Sequence, residues 1–125
     1  MKKDITTKKD IKLLVDSFYD KVRPDPVIGH FFSRVVAVDW EKHLPVMYSF
    51  WENVLFHKGS YSGNPMVQHQ ALHQKNKMTT EHFKRWLHLF NETVNDLFEG
   101  DNAEIIKQRA LSIATVMQIK IIHAS

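Results

Sequence analysis

The chain has 125 residues, 43% hydrophobic and 25% charged, a composition that fits one ordinary globular domain burying about two-thirds of its unfolded surface. It has no cysteine, which excludes disulfides, thiolate metal sites, thiol nucleophiles and any cofactor attached through a cysteine pair. The formal net charge of +3 rests partly on Lys2, Lys3, Lys8 and Lys9, and no basic stripe is interleaved with aromatics on one helix, which argues against nucleic-acid binding.

The opening stretch MKKDITTKKD is charged and lacks the apolar core of a signal peptide. No run in the chain approaches the length of a membrane span, so the expected address is the cytoplasm, with no membrane partner. Residues 1–8 are expected to form a frayed lead-in. Ile11, Leu14, Val15, Phe18 and Val22 then recur at helical spacing and predict a long helix from about Thr7 to Arg23. Pro24, Pro26 and Gly29 stop it, and a short turn carries Ile28, Phe31 and Phe32.

Asp39 reads as the N-cap of a second helix with the stripe Trp40, His43, Leu44, Met47, Trp51, Val54 and Leu55, broadened by Phe50. Pro45 removes one intrahelical hydrogen bond, which predicts either a kink or a regular start near Leu44. Gly59 ends this helix. Asn64 as N-cap and Pro65 at the first helical position open a short, mostly polar helix, NPMVQHQALHQ. After a polar loop, Thr79 or Thr80 caps the strongest helix, with Phe83, Trp86, Leu87, Phe90, Val94, Leu97 and Phe98 on one face. Gly100 closes it. Asp101 and Glu104 read as a capping box for the last helix, which presents Ile105, Ile106, Ala110, Ile113, Met117 and Ile121. With no strand alternation and no repeat, the class is all-α, one domain of four substantial helices and two small pieces.

Eight histidines are many for this length. His57, His82, His88 and His123 fall on polar faces or near element ends and read as exposed. His43 is set apart because it falls on an apolar stripe, where the plain reading is a core histidine satisfied by a carbonyl. Tyr19 adjoins the apolar face of the first helix, and a buried tyrosine hydroxyl needs a partner. Trp86, centred on the strongest helix, reads by itself as core. His69 and His73 share the spacing i, i+4, which suits a two-histidine metal site. The glutamate of H-E-x-x-H is absent between them, which weighs against a zinc hydrolase. The other reading uses one of the two as an axial ligand to haem, with Met66 and Leu72 covering the cofactor's face.

The segments FYDKV, GHFF, DWEKHLPVMYSFWENVL, YSGNPMVQH, EHFKRWLHLF and QRALSIATVMQIKI follow one another in this order. Together they resemble the truncated haemoglobins, most closely the third group, over nearly the whole chain from about Ile11 to Ile122. The resemblance implies a shortened globin fold, a two-over-two helical sandwich around a non-covalent haem b. His69 matches the proximal iron ligand, a neutral imidazole whose other nitrogen donates to a carbonyl or water. His73 falls one turn later, near the haem edge at best. Phe32 matches the phenylalanine that packs on the haem, and Phe83, Met66 and Leu72 would line the proximal side or edge. The distal side would hold Tyr19, His43 and Trp86 as donors, with Met47 as apolar wall and Trp51 at the haem edge. Such donors stabilise the partial negative charge on the outer atom of bound dioxygen. The implied ligands are dioxygen, nitric oxide and carbon monoxide. The implied chemistry is nitric oxide detoxification or peroxide activation, supported by an unidentified reductase. The alternatives are a haem-based sensor or oxygen store without turnover and, further off, a helical zinc protein built on His69 and His73.

Overall fold

The computed structural model describes residues 2–29, 40–56 and 79–119. The described residues form helices α1 (Lys8–Val22), α2 (Trp40–Phe56), α3 (Thr80–Leu97) and α4 (Asp101–Met117). α1 packs on α2 and α3, and α4 packs on α3 and α2, so each helix is held mainly by two others. The result is the expected all-α, two-over-two sandwich. Among the described residues, no helix is long and apolar enough to cross a membrane.

α1 keeps the predicted bounds to within a residue at each end. Thr7, in extended backbone, is the N-cap, and its hydroxyl accepts from the Asp10 N–H at 3.2 Å. The Asp10 carboxylate returns the contact to the Thr7 N–H at 3.0 Å, a capping box with aspartate as the third member. Ile11, Leu14, Val15, Phe18, Tyr19 and Val22 are all buried, the face that the 3.6-residue period anticipates. Arg23 is the C-cap, its N–H donating to the Tyr19 carbonyl at 3.0 Å.

The lead-in is not the frayed end expected from its charge. Ile5 is fully buried, and the Glu99 N–H donates to the Lys3 carbonyl at 3.0 Å. Asp4 accepts from the Asn102 and Ala103 N–H groups, both at 2.9 Å, and Asn102 Nδ2 donates to the Ile5 carbonyl at 2.7 Å. This also corrects the reading of the last helix. Its N-cap is Gly100, and the carboxylate over its first turn comes from Asp4 rather than from an Asp101–Glu104 box. Gly100 has φ +142°, and a Cβ there would lie 2.5–2.8 Å from Asp4 side-chain atoms. Glu104 instead pairs with Lys107 at 2.9 Å.

The turn after α1 is organised by Asp25. Its Oδ2 accepts from the Val27 and Ile28 N–H groups at 3.0 Å each, and its Oδ1 accepts from Arg85 Nε at 2.8 Å. Gly29 is required there because a Cβ would meet the Val22, Arg23 and Asp25 carbonyl oxygens at 2.5–2.9 Å. The predicted turn residues Phe31 and Phe32 and the cap Asp39 lie outside the described residues.

α2 begins at Trp40, so the alternative of a regular start near Leu44 is overturned. The helix runs through Pro45, whose missing N–H deprives the Glu41 carbonyl of its i+4 donor; both residues are exposed, where water can substitute. α3 starts after Thr79, whose N–H donates to His82 Nδ1 at 2.9 Å. It ends at Leu97 rather than at Gly100, with Phe98 as a buried, extended C-cap. α4 buries Ala103, Ile106, Ala110, Ala114 and Met117, while Ile105, predicted on the inner stripe, is exposed. Alanine at three of these five inner positions lets α4 pack closely on its neighbours.

Candidate functional site

Tyr19 lies in the last turn of α1, with only 6% of its surface exposed. Its hydroxyl is 3.2 Å from Nε2 of His43 on α2, and the tautomer of His43 sets which of the two donates. Burial pushes the Tyr19 phenol well above its ordinary range, so it remains a hydroxyl able to donate at any ordinary pH. His43 is half-buried and does not swing away from the interior, despite Pro45 two residues on.

Trp40, one turn before His43, packs its ring edge-on against Tyr19 at 5.0 Å and against His43 at 5.6 Å. The Arg23 guanidinium lies over Trp40, 3.9 Å from the ring centroid. Phe18 joins this group to α3. It contacts Tyr19 at 5.1 Å, Trp86 edge-on at 5.7 Å and Phe90 at 5.3 Å. Trp86 stacks on Phe90 at 5.7 Å, and Phe90 stacks on Trp51 of α2 at 4.8 Å. Met47, one turn beyond His43, is half-buried against the same core. Phe83 is buried near the start of α3.

The fold therefore brings Tyr19 and His43 into direct hydrogen-bond contact and joins Trp86 to them through Phe18. The expected residues Phe32, Met66, His69 and Leu72, and with them His73, lie outside the described residues. Among the described residues, no group of three or more His, Cys, Asp or Glu side chains is placed to hold a metal ion. The sequence reading took Phe18 and Trp40 as ordinary stripe members and gave Arg23 no role. The usable signal for Trp40 was its i, i+3 relation to His43 on one helix face.

Chemically, the arrangement is a ring-lined interior holding one hydroxyl–imidazole pair. Each of these groups can both donate and accept. Away from water, a hydrogen bond from such a group to a charged acceptor counts for more than it does at the surface. A flat apolar cofactor carrying a small polar ligand needs this combination of aromatic walls and a few desolvated donors, and the described residues fit it.

The four described helices form a sandwich in which Tyr19 and His43 meet among aromatic rings, and the bacterial-like globin family matches residues 3–120. The chain belongs to that family and, within it, to the group III truncated haemoglobins. It is 31% identical over 121 residues to the group 3 truncated haemoglobin ctb of Campylobacter jejuni, covering 94% of this chain and 93% of that protein. The crystal structure of group III truncated haemoglobin from Campylobacter jejuni matches the fold with a TM-score of 0.84 at 31% identity, over 97% of this chain and 95% of that one. Family membership implies a haem cofactor and diatomic ligands.

Proposed function

We propose that the chain holds haem b non-covalently through His69 and binds dioxygen and nitric oxide on the side where Tyr19, His43 and Trp86 stand. The observation that carries this reading is the Tyr19–His43 hydrogen bond, 3.2 Å long inside a shell of aromatic rings. Haem iron supplies reversible binding of diatomic ligands and one-electron chemistry. Tyr19 and His43 donate hydrogen bonds to the negative end of a polarised ligand, and Trp86 offers an indole N–H. Met47 excludes water beside them. Phe32, Met66, Leu72 and Phe83 are assigned to cofactor contact.

Strong donors slow ligand release, which suits reaction rather than delivery. One nitric oxide, one dioxygen and one electron balance to one nitrate, and a separate reductase would supply the electron. Peroxide activation draws on the same donors, because hydrogen bonds at the outer oxygen assist O–O cleavage.

The test has two stages. The protein reconstituted with haemin is expected to show a Soret band that His69→Ala abolishes or severely weakens. Retention of the native coordination in that variant moves the ligand assignment to His73. The oxygenated ferrous protein is then mixed with nitric oxide in a stopped-flow device. Fast conversion to the ferric form with stoichiometric nitrate supports turnover. A rate no faster than the solution reaction instead assigns the pocket to sensing or storage.

A further inference from the structure

Tyr19 is buried, Trp40 half-buried and Arg23 exposed, and the three contact one another in that order, Tyr19 edge-on to Trp40 and Arg23 over the Trp40 ring. They form a column running from the hydroxyl–imidazole pair to the surface. The column is built from two helix ends. Arg23 is the C-cap of α1 and Trp40 the first residue of α2, so the stack ties together the point where the two helices meet. The Trp40 ring also bears on His43, the other half of the pair.

We propose that Arg23 and Trp40 form a size-selective closure over the outer end of the distal pocket, with Trp40 positioning His43 against Tyr19. This inference rests on reading the Tyr19–His43 cluster as the ligand side of a haem pocket. A guanidinium 3.9 Å from an indole centroid is held by charge–quadrupole attraction. For a ligand to pass beside His43, Trp40 has to tilt away from Tyr19, and tilting breaks the stack. The cost is added to the barrier for entry and to the barrier for exit alike. Rates therefore change while affinity stays nearly constant. A bulky ligand requires a wider tilt than a diatomic one, so the effect grows with ligand size.

The experiment uses the full-length, haem-loaded ferrous protein and its Arg23→Ala, Arg23→Lys, Trp40→Ala and Trp40→Phe variants. Bimolecular rebinding of carbon monoxide and of n-butyl isocyanide is followed after flash photolysis. Arg23→Ala is expected to accelerate isocyanide entry by about two- to tenfold, the range of one partly exposed cation–π contact. Carbon monoxide entry should accelerate less, with its equilibrium affinity nearly unchanged. Arg23→Lys should fall between the wild type and Arg23→Ala, and Trp40→Phe should stay closer to the wild type than Trp40→Ala. In the diamagnetic carbon monoxide form, the Arg23 Nε–H resonance should be shifted upfield by the Trp40 ring current and lose that shift in Trp40→Ala. Equal acceleration of both ligands, or none, in Arg23→Ala overturns the closure. Absence of any photolysable ligand in the wild type overturns the haem-pocket reading beneath it, and the spectrum separates the two failures.

Discussion

The two ends of α1 use their polar groups in opposite ways. At the N-terminal end, Asp4 accepts three backbone N–H groups and Asp10 accepts two, all belonging to the chain's own turns and helix starts. Those carboxylates serve as caps, and their charge is spent on backbone donors. At the C-terminal end, buried Tyr19 and half-buried His43 turn their polar atoms to each other among aromatic rings. A hydroxyl and an imidazole keep both donor and acceptor capacity there, away from water. One end is arranged for stability. The other keeps the donors and acceptors that the proposed function assigns to a ligand, and such sites are where a fold departs from what stability alone would select.

The contrast is tested most severely at Ile5, which is fully buried in what reads as a charged tail. Ile5→Ala is expected to cost about 2–5 kcal/mol, as a large-to-small change in a packed core does. Urea unfolding followed by circular dichroism measures it. Ligand dissociation in the same variant should be close to wild type. An unchanged midpoint would mean that the lead-in adds nothing to the core, and the contrast between the two ends would lose its first half.

Tyr19→Phe probes the other end. The ring volume stays and the hydroxyl goes, so the stability change should be small. Dioxygen dissociation should accelerate by about 10- to 100-fold, the equivalent of one hydrogen bond of about 1.5–3 kcal/mol to a charged acceptor. Stopped-flow displacement of dioxygen by carbon monoxide reads the rate. A large fall in melting temperature with unaltered release would make Tyr19 a structural residue and invert the comparison.

Acid should act first on the capping end. Burial by itself would raise the Asp10 carboxyl, but the Thr6 N–H, the Lys3 ammonium, and the Thr7 N–H and hydroxyl outweigh it and hold the group at about 2. Asp4 is also lowered: burial opposes ionisation, and the N–H groups of Asn102, Ile5 and Ala103 overcome it. The folded value of Asp10 therefore lies below its unfolded value of about 3.9. Its contribution is full above about pH 4 and is lost as pH falls toward about 2. That contribution is on the order of 2 kcal/mol. Asp10→Asn should flatten the acid limb of a stability–pH curve. A curve of unchanged slope would remove Asp10 from the account.

What could be read from the sequence follows the range of each interaction. The buried face of α1 was legible because helical periodicity is local, and Lys8–Val22 matches the predicted span to within a residue at each end. His43 stood out because a titratable ring on an apolar stripe is unusual. The cap on α4 was not legible, since Asp4 and Asn102 are 98 positions apart and Asp101 offered a plausible local substitute. Arg85 on Asp25 escaped for the same reason, with 60 positions between them. Ile105 was misassigned because consecutive isoleucines fit two adjacent faces, and only packing chooses Ile106. Tyr19 and His43 could be suspected singly, but their hydrogen bond exists only once α1 and α2 are packed.

The smallest expected effect concerns Thr7, and it asks whether the capping end acts as one unit. Thr7→Ala removes the hydroxyl that accepts the Asp10 N–H at 3.2 Å and should cost about 1 kcal/mol. Thr7 and Asp10 also contact each other in the reverse direction, from the Thr7 N–H to the carboxylate at 3.0 Å. With one side chain gone, the other is a poorer cap, so the double variant with Asp10→Asn should lose less than the sum of the single losses. Ligand dissociation should be unmoved in all three variants, because the capping box lies at the opposite end of α1 from Tyr19. Additive losses would show the two contacts to be independent caps. A change in ligand release would show instead that α1 transmits strain along its length, and the two ends could no longer be treated separately.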